Sequence, residues 1–149
     1  MKTAIVGVGN CLMKDEGIGV HVARALGCVP LPADVVVIDA GTDPEVAFDL
    51  DEFDRIIVVD AACGGEEPGT IYRLTEREAL DTRWERQACH DIGFLETLRR
   101  IVSKFPDVLV VGIEPKEIGW GLELSPVLHR AVPRVVRIVQ QELRRWRCS

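Results

Sequence analysis

Polar side chains follow several apolar runs of this sequence, at the points where predicted strands end. Because the carboxyl ends of parallel strands meet at one edge of a sheet, and ligands bind beyond that edge, we expect these side chains to border one cleft. His90 approaches the same edge by another route, since it lies at the predicted start of the helix that leads to the last strand. The candidates at the strand ends are Asn10, Asp15, Glu16, Asp39, Thr42, Asp60 and Glu114.

Three of these residues could bind a metal ion. Glu16, Asp60 and His90 offer two carboxylates and one imidazole, a set that suits zinc or nickel and leaves positions open for water or substrate. An acid at a strand end is also a common helix cap or turn former, and a single histidine before a helix is often a hydrogen-bonded boundary residue. Spacing alone leaves both interpretations open.

Two cysteines raise the alternative of nucleophilic catalysis. Cys89 is adjacent to His90, and Cys63 follows Asp60 closely. A nucleophile must lie within hydrogen-bonding reach of its base, and adjacent side chains rarely point the same way. The sequence therefore disfavours a cysteine nucleophile.

The turn Gly7-Val-Gly9 is similar to the start of a dinucleotide-binding motif. Leu12 occupies the position of the third glycine, and Asp15 and Glu16 stand where the next helix should begin. A helix N-terminus attracts a phosphate, whereas two carboxylates there would repel one. We therefore expect no nucleotide, and we interpret Asp15 as a helix-start residue rather than a ligand.

The elements that must position these residues alternate between strand and helix. Continuous apolar runs predict buried parallel strands, and a short alternating run predicts an edge strand. The strands are Thr3 to Val8, Ala33 to Ile38, Arg55 to Asp60 and Asp107 to Ile113, with Thr70 to Leu74 at an edge. This alternation predicts an α/β fold, a three-layer α/β/α sandwich with a mostly parallel sheet of about five strands in a single domain over residues 1–149.

Apolar residues at helical spacing predict the connecting helices. One helix follows Glu16, and a second covers Pro44 to Leu50 with Asp43 as its N-cap. A third begins near His90, and a fourth begins at Ser125-Pro126 and should kink or restart at Pro133. His21 and His129 lie beside the apolar stripes of their helices, and we expect both at the surface.

Composition narrows the choice of partners and compartment. The 149 residues carry a net charge of -6 and are 47% hydrophobic, so the chain is typical of a globular protein without a general basic face for nucleic acid. It has no signal-peptide pattern and no apolar run near the roughly 20 residues that span a bilayer. We expect a cytoplasmic protein, not bound to nucleic acid or membrane, with its five cysteines reduced.

Several short motifs are distributed along nearly the whole chain. They are Gly7-Val-Gly-Asn10 with Leu12, Asp15-Glu-Gly-Ile-Gly19, Asp39-Ala-Gly-Thr42, Asp60, His90-Asp-Ile-Gly93, Gly112-Ile-Glu-Pro115 and Leu124-Ser-Pro126. In this order they resemble the motifs of the maturation endopeptidases of [NiFe] hydrogenases. The resemblance implies a metal-dependent endopeptidase that removes the C-terminal extension of a [NiFe] hydrogenase large-subunit precursor once nickel has been inserted.

The resemblance also implies roles for particular residues. The metal-contacting and catalytic positions fall on Glu16, Asp60 and His90, with nickel supplied by the precursor and no resident cofactor expected. The substrate-binding turn comprises Asp39, Gly41 and Thr42, although Ala40 stands where the family often has a second glycine. The alternative function is a non-cleaving assembly factor that binds a hydrogenase subunit.

Overall fold

The computed structural model describes residues 1–80, 93–102 and 106–148. Its strands form one five-stranded sheet in the order β2-β1-β3-β5-β4, in which only β4 is antiparallel to its neighbour. The mostly parallel sheet of the sequence prediction is confirmed. The strands are β1 (Thr3–Val8), β2 (Val35–Gly41), β3 (Arg55–Ala61), β4 (Ile71–Thr75) and β5 (Asp107–Ile113).

Helices cover both faces of the sheet, which confirms the three layers. The described helices are a first 3-10 helix (Lys14–Gly17), α1 (Ile18–Leu26), a second 3-10 helix (Pro44–Leu50), α2 (Glu76–Ala79), α3 (Gly93–Ile101) and α4 (Pro126–Cys148). The helices α1 and α4 pack on one face, and the second 3-10 helix packs with α3 on the other. Asp43 caps that second 3-10 helix as predicted, because its Oδ1 accepts a hydrogen bond from the Glu45 N–H at 2.9 Å.

The central strands are apolar throughout because both of their faces are covered. Ile5 of β1 and Ile57 of β3 belong to the core under α1 and α4, whereas Ala4 and Ile56 belong to the opposite core. The strand β2 has a similar composition but lies at an edge, where Val36 is exposed. Continuous apolar runs in this chain therefore mark both central and edge strands.

The strand β2 continues past the predicted end at Ile38. Asp39 pairs with Gly7 of β1, and Gly41 pairs with Val8 after a shift in register. The backbone ladder thus extends through Asp39, Ala40 and Gly41, beyond the last large apolar side chain of the run. Asp39 consequently lies within the strand rather than after it.

The helix α4 runs through Pro133 without a break, so the predicted restart there is wrong. Proline at this position removes one hydrogen bond to the carbonyl of His129. Both residues are exposed, which gives water access to that carbonyl. The buried stripe of the helix, including Leu128 and Val139, continues on either side.

Two glycines let α1 cross directly over the sheet. A Cβ atom on Gly19 would lie 2.1 Å from the carbonyl oxygen of Val59 and 2.3 Å from that of Val8. One on Gly7 would lie 2.3 Å from the carbonyl oxygen of Gly19. The glycine motif therefore serves close packing, and it places the first 3-10 helix beyond the carboxyl ends of β1 and β3.

Among the described cysteines, Cys63 departs from the expectation of a reduced thiol. Cys11, Cys28 and Cys148 are free thiols, whereas Cys63 is disulfide-bonded. A sulfur in a disulfide is not a free thiolate, so Cys63 is not available as a nucleophile in this state. Cys89 lies outside the described residues.

The helices described by the structure include none with the length and apolar character to cross a membrane.

Candidate functional site

The cleft of this sheet lies where the chain changes direction across it. From β1 the chain passes through α1 on one face to reach β2, and from β2 it passes through the second 3-10 helix on the other face to reach β3. The two connections leave a crevice beyond the carboxyl ends of β1 and β3, the position at which open α/β sheets bind ligands. Glu16 follows β1, and Asp60 is near the end of β3.

Gly9 brings these two acidic segments close together. Its φ is +137°, and a Cβ atom there would lie 2.1 Å from the carbonyl oxygen of Glu16 and 3.5 Å from Oδ1 of Asp60. The backbone of Glu16 and the carboxylate of Asp60 therefore pack against the same glycine. The sequence had placed both acids at this edge of the sheet, and the structure brings their segments together.

Asp60 has a fixed orientation. Its side chain is buried, and Oδ1 accepts a hydrogen bond from the N–H of Ala61 at 2.8 Å. Burying a carboxylate is costly unless hydrogen bonds or charges compensate for the lost water, and the Ala61 N–H provides one such hydrogen bond. Glu16 is half-buried on the first 3-10 helix.

His90, the third predicted ligand, lies outside the described residues. Among the residues described, no three histidine, cysteine, aspartate or glutamate side chains are grouped so as to hold a metal ion. Glu16 and Asp60 are the two members of the predicted set whose positions the structure gives. The three-ligand site therefore stays a prediction.

The turn at Asp39 to Thr42 borders the same cleft. The N–H of Gly9 donates to the carbonyl oxygen of Gly41 at 2.9 Å, and Gly41 adopts a left-handed φ of +55°. Thr42 is exposed, and the carboxylate of Asp39 lies 3.6 Å from Nε of Arg24 on α1. The predicted substrate-binding residues thus lie beside the glycine turn.

Asp15 has a function that the sequence did not reveal. Its fully buried carboxylate accepts hydrogen bonds from the backbone N–H groups of Lys116 at 2.9 Å, Glu117 at 2.7 Å and Ser125 at 2.7 Å, and from the Ser125 hydroxyl at 2.7 Å. Asp15 lies in the first turn of a 3-10 helix, as predicted, but its side chain anchors the loop after β5. The only sequence signal was the unusual length and patterning of that loop.

Glu114 is another strand-end candidate that anchors a loop. Its Oε1 accepts hydrogen bonds from the N–H groups of Gly64 at 2.8 Å and Glu66 at 3.1 Å, and from the Tyr72 hydroxyl at 2.5 Å. Burial, together with the hydrogen bond to Glu114, raises the pKa of Tyr72 well above its usual value. Glu114 therefore connects the loop after β3 to β4.

Comparison with known proteins identifies the family. The sequence model of the HycI hydrogenase maturation protease family matches residues 20–142. The chain belongs to this family. The coenzyme F420 hydrogenase subunit delta of Methanothermobacter thermautotrophicus is 34% identical, with 93% of this chain and 92% of that protein covered. The hydrogenase 2 maturation protease of Escherichia coli K12 is 30% identical, with 97% of this chain and 92% of that protein covered.

Solved structures of relatives share the fold. The hydrogenase maturating endopeptidase HybD of Escherichia coli has a TM-score of 0.84 and 27% identity, with 97% of this chain and 93% of that chain covered. The [NiFe] hydrogenase maturation protease HybD of Thermococcus kodakarensis has a TM-score of 0.78 and 26% identity, with 95% and 98% covered. Family membership supports a peptidase, which is a hydrolase.

The geometry of the glycine turn argues against a dinucleotide site. The space that a side chain at Gly9 would fill is occupied by the Glu16 carbonyl, so the turn is folded against its own chain. In a dinucleotide site the corresponding backbone approaches a pyrophosphate instead.

His21 differs from its predicted surface position. It is half-buried, and its Nε2 is enclosed without a hydrogen-bond partner in the part of the chain that the structure describes. Burial lowers the pKa of His21, and the positive charge of Arg24 lowers it further. With His129 it lines a cavity of about 510 Å³ under the loop after β5, whose other lining residues are Leu122, Glu123, Leu124 and Pro126.

Proposed function

We propose that this protein is a cytoplasmic endopeptidase that removes the C-terminal extension of a [NiFe] hydrogenase large-subunit precursor after nickel insertion. One observation carries the proposal for the site: the Glu16 segment and the Asp60 carboxylate meet at Gly9, beyond the carboxyl ends of β1 and β3. Membership of the hydrogenase maturation protease family supports the reaction class and implies a large-subunit substrate.

Glu16, Asp60 and His90 are the proposed contacts to the nickel ion, which arrives as part of the substrate. Two carboxylates and an imidazole suit a borderline divalent cation, and they leave positions for ligands from the precursor. The hydrogen bond from Ala61 orients Asp60 before the substrate binds. In this proposal the bound nickel distinguishes a precursor that has received its metal, and it holds the scissile region at the crevice. The protein itself needs no resident cofactor.

The turn containing Asp39, Gly41 and Thr42 is the proposed contact for the precursor chain. It is joined to the crevice by the hydrogen bond between Gly9 and Gly41, and Asp39 and Thr42 are exposed. Exposed polar residues at the rim of a crevice can bind an extended peptide without a large rearrangement.

The test compares nickel-loaded and nickel-free precursor, with processing followed by mass spectrometry. Glu16→Gln, Asp60→Asn and His90→Ala should each abolish or strongly slow cleavage of the loaded precursor, whereas Glu52→Gln, which alters an exposed acid that pairs with Lys2 before the first strand, should cleave normally. Normal cleavage by the three variants would refute the site. Equal cleavage of nickel-free precursor would refute the role of nickel.

The same experiment separates the non-cleaving assembly factor from the protease. An assembly factor would form a complex with the precursor and leave its mass unchanged.

A further inference from the structure

Four large apolar side chains are exposed together on two paired segments. Trp120 is 80% exposed, Leu122 67%, and Ile118 and Leu12 48% each. We call these four residues the apolar platform. Contiguous exposed apolar surface on a folded protein commonly marks an interaction site.

Backbone hydrogen bonds hold the two segments together. The N–H of Lys14 donates to the Gly121 carbonyl at 2.9 Å, and the N–H of Gly121 donates to the Leu12 carbonyl at 2.9 Å. The N–H of Asp15 also donates to the Glu117 carbonyl at 3.0 Å. Lys14 has a φ of +50°, which is unfavourable for a residue with a side chain and persists only where surrounding contacts hold it.

The buried carboxylate of Asp15 adds four hydrogen bonds to the same loop. The loop that carries Ile118, Trp120 and Leu122 is therefore anchored on both sides of these residues. A surface ordered in this way before binding loses less conformational entropy when a partner binds.

The apolar platform is next to the proposed catalytic crevice along the chain. Leu12 lies four residues before Glu16, and the segment from Leu12 to Asp15, which pairs with the loop, leads directly to it. Leu122 also lines the cavity that contains His21, so the platform continues into a recess.

We propose that the apolar platform is a docking surface for an apolar segment of the precursor protein that is processed at the adjacent crevice. The occupant is the precursor because the platform lies beside the site proposed to process it, with Leu12 only four residues from Glu16 in the chain. The rim is of mixed charge, with Lys116, Glu117 and Glu123 exposed, so apolar contact rather than net charge carries the recognition. This inference rests on the proposed function.

The first test is a kinetic one, on the double variant Trp120→Ser/Leu122→Ser. Both side chains are exposed, so the fold should be retained, which circular dichroism checks. KM for the nickel-loaded precursor should rise by about tenfold or more while kcat is unchanged, because lost docking removes binding common to the ground and transition states. The matched control is Phe48→Ser, which alters a side chain 63% exposed on the second 3-10 helix and should leave KM unchanged.

The second test measures binding of the precursor to the Glu16→Gln protein, with and without the double substitution. Loss of binding in the double variant supports docking of the precursor at the platform. If the wild type binds the precursor but does not cut it, only the protease function is refuted, and the docking result still stands. Unchanged KM and unchanged binding would overturn the platform, as would an equal loss in Phe48→Ser. Self-association of the wild type that the double variant abolishes, with no effect on the precursor, would assign the surface to a second copy and overturn the proposal.

Discussion

Replacing Asp15 with asparagine should destabilise the protein more than any surface substitution near the crevice. The carboxylate is buried, with Oδ1 accepting one hydrogen bond and Oδ2 accepting three. If the amide oxygen of the substituted side chain takes the place of Oδ2, the amide NH₂ faces the N–H of Ser125. Two donors would then oppose each other in a buried site.

The loss of stability in Asp15→Asn can be estimated from the hydrogen bonds that the substitution breaks. A hydrogen bond to a charged group is worth about 1.5–3 kcal/mol, and a buried donor left unsatisfied costs about 1–3 kcal/mol. We therefore expect Asp15→Asn to lower the free energy of unfolding by about 3 kcal/mol. That is a large part of the total of about 5–15 kcal/mol for a typical domain, and it corresponds to a fall in Tm of roughly 6 to 12 °C.

Urea denaturation and amide hydrogen exchange test this expectation. The exchange of the Lys116, Glu117 and Ser125 amides should become faster in Asp15→Asn, whereas Glu117→Gln, which leaves the backbone bonds intact, should behave like the wild type. Ser125→Ala removes only the hydroxyl donor and should cost about 1.5 kcal/mol, the lower end for a hydrogen bond to a charged group, because three backbone donors to the carboxylate remain. A loss of less than about 1 kcal/mol for Asp15→Asn, with unchanged exchange, would refute the anchoring role of this carboxylate.

Two further predictions concern the glycine turn and His21. Gly9→Ala should abolish processing and destabilise the fold, since its Cβ would lie 2.1 Å from the Glu16 carbonyl oxygen. A Cβ at Gly41 meets no atom within 4 Å, so Gly41→Ala should lower the free energy of unfolding only by the strain of a φ of +55°, about 1–2 kcal/mol. Equal losses of unfolding free energy in the two variants would contradict this. The pKa of His21 is lowered on folding from 6.5, mainly by burial, so the unfolded chain binds more protons and stability should fall as the pH drops below about 6.5. In urea denaturation from pH 7.5 to 5, the free energy of unfolding should fall less for His21→Gln than for the wild type or for His129→Gln. An equal dependence on pH in all three proteins would disprove the role of His21.

The parts of the fold that local patterns determine could be predicted from the sequence. The bounds of β1 and β5 and the cap at Asp43 agree with the structure because continuous apolar runs and a capping residue before proline are local signals. The proximity of the Glu16 segment to Asp60 could also be predicted from the sequence, because the carboxyl ends of parallel strands lie at one edge of the sheet.

The contacts between distant segments could not be predicted. Asp15 binds the N–H of Lys116, which lies 101 residues further along the chain, and no local pattern records such a pairing. His21 is off the apolar stripe of α1, yet the loop around Leu122 encloses part of it. The state of Cys63 depended in the same way on tertiary structure.

The adjacent acids Asp15 and Glu16 connect the apolar platform to the crevice. Successive residues of a 3-10 helix project about 120° apart, so one carboxylate can anchor the loop while the next is directed elsewhere. If the loop affects processing through its apolar side chains, Asp15→Asn and Trp120→Ser/Leu122→Ser disrupt the same contact. Their effects on KM should then be less than additive, and the combined variant should resemble the more damaged of the two.

Kinetics with the nickel-loaded precursor, at a temperature where all variants are folded, provide the measurement. Fully additive changes in ln KM would show that Asp15 acts on Glu16 directly and not through the loop. A change in kcat for Asp15→Asn that is absent from Trp120→Ser/Leu122→Ser would also indicate a direct effect on Glu16. Displacement of Glu16 alters the chemical step, whereas loss of docking does not.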